Sequence, residues 1–534
     1  MSGLNSIYRY LCPLVLFGSS VVTLEPIDVA VIGGGVGGSA AAYFLNELMP
    51  GKVRIQLFEK QDRIGGRLKT LNVGGKLYEA GGSILHPRNQ YMDHFAKKFN
   101  LKRKPDSVDG VFGIYNGEGF SFLSSSWQLI TYLKLLWRYG WDLFRLKFMI
   151  KGMLDKFSKI YTLQESGRSF PDVDSLLNAM DPAFSGMLEI SIREQLETMG
   201  FSEPFISELA QIAMMTNYGG QTVDDLHGFV GSVALAGAES NLWAIHGGND
   251  QMARAFLENS KDAVRVRLNH LVLQLTEEHK TKKIRVKFKT YTEPETEYEA
   301  LHSTHTYSEN FDAVIIACPL LDRKDDIRLV GFTDTPFYPN KGPYHRMVAT
   351  FVQGELSPDA FHLLPDSHPL PSAIFSSNKT TFFASIAQNS PVNAKAKRPG
   401  IVSAWLNFFV HLKSDAASRN ILGTSATNPV WKIFSREELS NQEISYLFSA
   451  EDASKQIAWQ AYPEYAKFID QSLSFYLAAP PNQPVYYVNS IEWAASAMEM
   501  SVISARNAAL LLKKDFYPTQ PGEKIKKVFS KSEL

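Results

Sequence analysis

The chain has 534 residues, too many for one compact core, so two or more domains are expected. Its 55 Lys and Arg balance 55 Asp and Glu, and it shows no basic tail and no zinc-type Cys/His spacing, which argues against a nucleic-acid or metal-centred role. An aromatic share of 12%, with 34 Phe and 22 Tyr, suits either a large aromatic core or a large apolar ligand.

Residues 1–22 carry Arg9 and then an apolar run with small residues near Gly18 to Ser20. This reads as a signal peptide, too short to span a membrane comfortably; a ragged apolar extension is the other reading. Cleavage would remove Cys12 and leave Cys318 with no intrachain partner, as in a secretory-pathway protein built without internal disulfides. Asn378-Lys-Thr380 is a glycosylation sequon, and Lys531-Ser-Glu-Leu534 comes close to an endoplasmic-reticulum retrieval signal. Lysosome, endoplasmic reticulum and secretion all stay open.

Residues 28–32 form a short apolar strand that runs into Gly33-x-Gly35-x-x-Gly38 and an Ala-rich helix start. A dinucleotide site needs that order: Gly33 for the tight turn, Gly35 for close approach to a pyrophosphate, Gly38 for helix packing. A glycine-rich loop can also be only a turn. Here a second apolar run, 53–58, ends in Glu59, 21 residues beyond Gly38, where the ribose hydroxyls of the adenosine half belong. Gly65-Gly66-Arg67 then folds tightly while its guanidinium can reach a phosphate or a ring carbonyl, and Gly81-Gly82-Ser83 offers bare N–H groups. Taken alone, each of these reads equally as a surface turn.

Residues 127–156 are helical in pattern, with Gly140 as a kink and charges recurring on one side: Lys134, Arg138, Arg145, Lys147, Lys151 and Lys156 against Asp142 and Asp155. The preferred reading is a helix packed on a core with a solvated face; peripheral membrane contact is the other. A further helical stretch runs from 171 to 200, before a loop at Asn217-Tyr-Gly-Gly220. Residues 251–257 read as helix and 264–275 as strands. Residues 276–310 read as a hairpin with a long exposed tip, and 311–319 as a buried central strand. Residues 320–485 mix strand and helix patterns, with Ser435-x-x-Glu438 and Ser440-x-x-Glu443 at capping-box spacing. Last, 485–492 is an apolar strand ending in Glu492, followed by a helix over 494–512. That order can grip a ribityl chain and aim a helix N-terminus at a ring that becomes anionic on reduction; an ordinary C-terminal helix competes with it.

The set of Gly33, Gly35, Gly38, Glu59, Gly65-Gly66-Arg67, the 313–319 strand and Glu492 resembles the flavin amine oxidase and glutathione-reductase-like FAD fold. Within that class the wording resembles the prenylcysteine oxidase family more closely. It does so at Tyr78-Glu-Ala-Gly-Gly-Ser-Ile-Leu-His-Pro87, Gly113-Ile-Tyr-Asn-Gly-Glu118, Leu135-Leu-Trp-Arg-Tyr-Gly140, Val430-Trp-Lys-Ile-Phe434, Ala461-Tyr-Pro463 and Ala494-Ala-Ser-Ala-Met-Glu-Met500. The resemblance implies an α/β chain: a Rossmann-like FAD-binding domain from 25–110, 245–325 and 486–515, and a mixed α+β substrate domain from 111–244 and 326–485. Residues 516–534 would be a polar tail.

It further implies pyrophosphate contact at the backbone of Gly33, Gly35 and Gly38, ribose at Glu59, flavin-side contacts at Arg67, Gly82 and Ser83, adenine at the Val272 backbone, and ribityl at Glu492. Amine oxidases favour glycine where this chain has Met498-Glu-Met-Ser501, so ring contacts there differ; no Cys sits in that region, which argues for noncovalent FAD. The implied reaction cleaves farnesyl- or geranylgeranyl-cysteine with oxygen and water to a prenyl aldehyde, free cysteine and hydrogen peroxide, in a lysosomal or secretory-pathway enzyme. It asks for orientation and a dry apolar slot more than for a strong base.

Candidates near the ring are His86, Tyr218 and His246. The bland alternatives are that His86 caps a turn, Tyr218 packs in the core and His246 merely precedes Gly247-Gly248. Two other functions stay open: an amine oxidase of the same fold, and a homologue that binds flavin or lipid without turnover.

Overall fold

A computed structural model describes residues 25–105, 111–237, 242–290, 305–321, 326–332, 343–363, 370–394, 428–467, 473–518 and 527–529. The signal-peptide segment 1–22, the hairpin tip at 291–304 and residues 531–534 lie outside them.

The first apolar run becomes the strand Ile27–Ile32, which pairs in parallel with Val53–Phe58 on one side and Ala313–Ile316 on the other. Val264–Arg267 and Val485–Tyr487 extend this parallel sheet, and Tyr476–Ala478 closes one edge antiparallel. Its central strands, Ile27–Ile32 and Ala313–Ile316, read as near-continuous Val, Ile and Ala because both faces are covered. Val29 and Val31 face the helices Val36–Leu48 and Met498–Phe516, which pack on each other, while Ala30 and Ile32 face Val272, Val286 and Phe288 of a four-stranded sheet. That second sheet orders Thr306–Phe311, Lys283–Thr290, His270–Glu278 and Arg328–Val330. The nucleotide half is thus assembled from separated segments, as expected. Its borders differ: Tyr476–Ala478 and Arg328–Val330, assigned on sequence to the substrate domain, pair into these sheets. Three-residue strands at an edge carry too little periodicity to be read locally.

The other half is a seven-stranded sheet. Its order is Phe448–Pro463, Tyr344–Leu356, Val430–Ser435, Ser385–Gln388, Ala373–Ser376, Phe112–Tyr115 and Phe120–Leu123. The helical segments between residues 128 and 236 belong with it, giving the mixed α+β domain.

Several elements depart from expectation. The stretch 171–200 is three short helices, Val173–Met180, Ala183–Gly186 and Ile192–Thr198. Asp181 is extended (φ −163°, ψ 130°) because the following Pro182 disfavours a helical residue before it. Ser440 and Glu443 form a capping box on Asn441–Leu447, but Ser435 pairs with Val348 in the sheet and its hydroxyl donates to the Glu437 carbonyl. The last helix starts at Met498, since Val488–Trp493 is a 3-10 segment.

The 127–156 stretch splits at Gly140 (φ +53°) into Gln128–Tyr139 and Asp142–Phe157. Its inner side packs on the core through Leu135, Tyr139, Leu146 and Ile150, as preferred on sequence. Its outer side exposes the expected charges at Lys134, Arg145, Lys151 and Lys156, and beside them large apolar side chains that the expectation did not include.

Candidate functional site

The nucleotide end is built from backbone. Gly33 sits at φ +108°, and a Cβ there would lie 2.7 Å from the Ala317 carbonyl oxygen. Gly38 packs so closely that a Cβ would meet the Gly33 oxygen at 1.9 Å. Gly35 differs: its nearest prospective neighbour is the Gly66 Cα at 3.9 Å, so its absent side chain leaves an opening. Gly35 is also the N-cap of Val36–Leu48, with no side-chain cap bond and no acid in the first turn. The first-turn amides therefore present unpartnered partial positive charge beside that opening, which fits a pyrophosphate.

Glu59 accepts the Gly34 N–H at 2.6 Å and the Gln61 N–H at 2.9 Å, which fixes its buried carboxylate at the end of the second strand. The Glu59 carbonyl takes the His270 N–H at 2.8 Å. Val272, two residues along that strand and buried at a bulge, is thereby held close to the ribose position expected at Glu59. The donor and acceptor set fits the adenosine half of a dinucleotide.

The other end is a junction the sequence did not join. Arg63 donates to the carbonyls of Gly66 at 2.7 Å and Leu68 at 3.0 Å, clamping the Gly65-Gly66 turn that carries Arg67. Arg67 makes a two-pronged ion pair with Glu492 and donates to the Ala461 carbonyl at 2.7 Å. Glu492 also accepts the Tyr344 hydroxyl at 2.9 Å and the Asn489 amide at 2.8 Å, so its buried carboxylate is saturated from within. Burial works against the Arg67 charge, but the Glu492 carboxylate overrides it and holds the guanidinium protonated. The two residues assigned separately to flavin-side and ribityl contacts thus act as one unit.

Gly82 and Ser83 lie beside a third group that sequence reasoning missed, Lys432. Its ammonium donates to the Ser83 hydroxyl and to the Glu79 carbonyl, both at 3.0 Å. Asn249 ties the same turn from the far side, donating its backbone N–H to the Glu79 carboxylate at 2.6 Å and its side-chain amide to the Gly82 carbonyl at 2.9 Å. Burial raises the Glu79 carboxyl to about 7, against the pull of the Asn249 N–H and the Lys432 charge. The signal for Lys432 was a single lysine within the apolar strand Val430–Ser435, a position that must be paired if buried.

Tyrosines wall the Arg67–Glu492 junction. Tyr465 donates its hydroxyl to the Glu492 carbonyl at 2.9 Å and is met edge-on by Tyr218, ring centres 5.5 Å apart. Tyr218 also packs on Tyr462 at 5.0 Å. Burial raises the pKa of all three phenols, so they are neutral, apolar-bodied groups around the pair. His227 lies on the outer side of Tyr465, donates from Nε2 to the Trp493 carbonyl at 3.0 Å and accepts the Val230 N–H at Nδ1. Burial lowers it to about 4, so it is uncharged near neutrality. A cavity of about 460 Å³ opens there, lined by Ile190, Ser191, Asp224, Leu226, His227 and Tyr465.

Of the three candidates near the ring, Tyr218 is the one placed at this junction. His86 turns inward on its own chain: its Nδ1 accepts the Arg88 N–H at 3.1 Å and its backbone bonds Asn89, shaping the entry to Gln90–Lys98. His246 is exposed at the end of the Trp243–Ile245 strand, bonded through its backbone to Lys102. No described hydrogen bond or ring contact joins any two of the three. Asn378 sits in a surface turn in which Thr380 donates to its side-chain oxygen at 2.8 Å.

A prenylcysteine lyase family model matches residues 122–525, and an NAD(P)-binding Rossmann-like domain model matches 31–99. Prenylcysteine oxidase 1 of Homo sapiens is 37% identical over 516 residues, covering 96% of this chain and 94% of that protein. Its Mus musculus counterpart is 34% identical over 505 residues, covering 94% and 92%. Prenylcysteine oxidase 1-like of Bos taurus is 30% identical over 491 residues, covering 91% and 90%. Among solved structures, a fatty acid isomerase from P. acnes that produces CLA aligns with a TM-score of 0.55 at 13% identity, covering 92% of this chain and 99% of that one. A triple mutant of putrescine oxidase aligns at 0.53 and 13%, covering 91% and 98%. These two likenesses are of fold.

Proposed function

The chain belongs to the prenylcysteine lyase family, and from that premise we propose that it is an FAD-dependent thioether oxidase. It converts S-prenyl-cysteine, oxygen and water to prenyl aldehyde, free cysteine and hydrogen peroxide. The observation that carries the reading is whole-chain similarity to prenylcysteine oxidase 1 in a molecule whose Gly35 opening and uncapped helix fit a dinucleotide. When bound, FAD supplies the two-electron acceptor for a carbon that lies between a thioether sulfur and an alkene, and oxygen is the final acceptor.

The residues that would hold the cofactor are Gly33, Gly35 and Gly38 by backbone, Glu59 at the ribose, and the Val272 backbone at the adenine. Gly82, Ser83 and the Arg67–Glu492 pair would supply the flavin-side contacts. Lys432 and Asn249 keep the Gly82-Ser83 turn in place. Tyr218, Tyr462 and Tyr465, packed on one another, would keep water from an apolar chain bound beside the Arg67–Glu492 pair. Such a site works by orientation and dryness and needs no strong base.

FAD is held without a covalent bond. Cys318 follows the central strand near the Glu59 carboxylate, and burial pushes its thiol up to about 12, which makes it a poor nucleophile. We propose that the enzyme resides in the secretory pathway, in the lysosome, on the 1–22 segment and the Asn378 sequon. The amine-oxidase alternative fits less well, since likeness to those enzymes is confined to fold.

The test offers farnesylcysteine, geranylgeranylcysteine and a panel of amines to the purified flavoprotein. Peroxide and aldehyde from the thioethers alone are expected; a flavin-loaded protein inert to both thioethers overturns the reading. Acid precipitation should leave the flavin in the supernatant, and a yellow pellet would show a covalent link.

A further inference from the structure

The helix pair Gln128–Tyr139 and Asp142–Phe157 has its inner side fully engaged, with Thr131, Leu135, Tyr139, Leu146 and Ile150 buried. Its outer side exposes large apolar side chains among its charges. Trp127 is 70% exposed, Leu133 57%, Trp137 88%, Trp141 72% and Phe148 73%. Leu129, Leu133 and Trp137 recur at four-residue spacing and so share one face of the first helix, while Trp141 and Phe148 share one face of the second. Scattered exposed apolar residues need no explanation, but a stripe of this size on one pair of helices marks an interaction surface.

Charge selects the occupant. Residues 128–157 hold six cations and two carboxylates. One of the carboxylates, Asp142, is buried, accepts the Ser202 N–H at 2.8 Å and pairs with Arg145 at 3.1 Å, while Asp155 pairs with Arg88 and Lys151; Arg138 and Lys156 pair with Glu208 and Asp181, outside the two helices. Lys134, Arg145 and Lys151 stand exposed beside the apolar stripe. A second copy of the chain docked on this face about a twofold axis would bring together two faces that each hold more cations than carboxylates. Tryptophans flanked by Lys and Arg are the composition favoured at a bilayer interface, where the rings sit at headgroup level and the cations meet lipid phosphates. No described helix is long and apolar enough to cross a membrane, which leaves attachment in the plane of the surface.

We infer that this face docks the protein on an anionic lipid bilayer, with Trp137, Leu133 and Phe148 entering the headgroup layer. The inference rests on the exposed face and not on the proposed reaction, and its test does not read turnover. The purified full chain is floated with vesicles of phosphatidylcholine, with and without phosphatidylserine, beside the variant Leu133→Ser/Trp137→Ser/Phe148→Ser. The wild type should rise with the serine-containing vesicles, and the variant should bind them about tenfold or more weakly, with its melting temperature unchanged. Equal flotation of the two proteins overturns the proposal. So does a wild type that stays in solution as a dimer which the substitutions split, because a second copy would then be the occupant.

Discussion

Gly33 and Gly35 show how two neighbouring glycines can be required for different reasons. Gly33 is needed by the fold, since any side chain would be strained at φ +108° and would strike Ala317. Gly35 has room for a methyl group, but that methyl would fill the place where a phosphate must approach. Gly35→Ala should therefore fold with a normal melting curve yet bind FAD about tenfold or more weakly, read as flavin absorbance per mole of protein. A folded Gly35→Ala protein with full flavin would remove the opening from the site. The Arg67–Glu492 pair makes a second prediction. Truncating the arginine leaves a buried carboxylate with only Tyr344 and Asn489 as side-chain donors, so Arg67→Met should cost about 3 to 5 kcal/mol in urea unfolding. Adding Glu492→Gln should recover much of that loss, because the uncompensated charge goes with it.

At the scale of elements, the last helix carries Glu499 in its first turn, where its buried carboxylate accepts the N–H groups of Tyr91 and Met92 and the Tyr161 hydroxyl. Burial wins over these donors and raises the carboxyl from 4.5 to about 7. Below pH 4.5 both folded and unfolded chains hold this proton, so it has no effect on stability there. As pH rises toward 7 the unfolded chain releases the proton first, and stability falls by roughly 3 kcal/mol before levelling off. Glu499→Gln should lose that slope, so the difference in urea midpoint between wild type and variant should change between about pH 5 and about pH 8. A parallel pair of profiles would refute the raised carboxyl. His227 contributes in the opposite sense, losing stability as pH falls from 6.5 toward 4, and it cancels from the comparison because both proteins contain it. Elements of this kind were legible where their signals are local: strand, glycine turn and helix over 27–48, the capping box at Ser440, the break at Gly140. Ser435 misled because a capping spacing says nothing about whether the serine is already paired in a sheet, as this one is to Val348.

At the scale of the whole molecule, the fold class was legible and the site's far end was not, for one reason: the joining contacts connect residues hundreds of positions apart. Arg67 meets Glu492, and Ser83 meets Lys432; neither partner carries a periodicity that points to the other. The same holds for the C-terminal tail, which reads as polar yet delivers Val528 and Phe529 into the core. Phe529 stacks on Tyr91 at 5.1 Å and meets Tyr161 edge-on at 5.8 Å, while the Val528 N–H donates to the Glu165 carboxylate at 2.8 Å. That carboxylate pairs with the fully buried Arg506 at 2.8 Å on the last helix, the helix that packs against Val36–Leu48 at the nucleotide site. The tail therefore closes a chain of contacts running from residue 529 back to the glycine turn. Phe529→Ala should cost about 3 to 5 kcal/mol, because aromatic truncation in a packed core leaves a cavity, and the loss should appear as a lower melting temperature. Flavin content at low temperature should stay near that of the wild type, since no cofactor-facing group is touched. An unchanged melting temperature would mean that the tail merely rests on the core rather than fastening it.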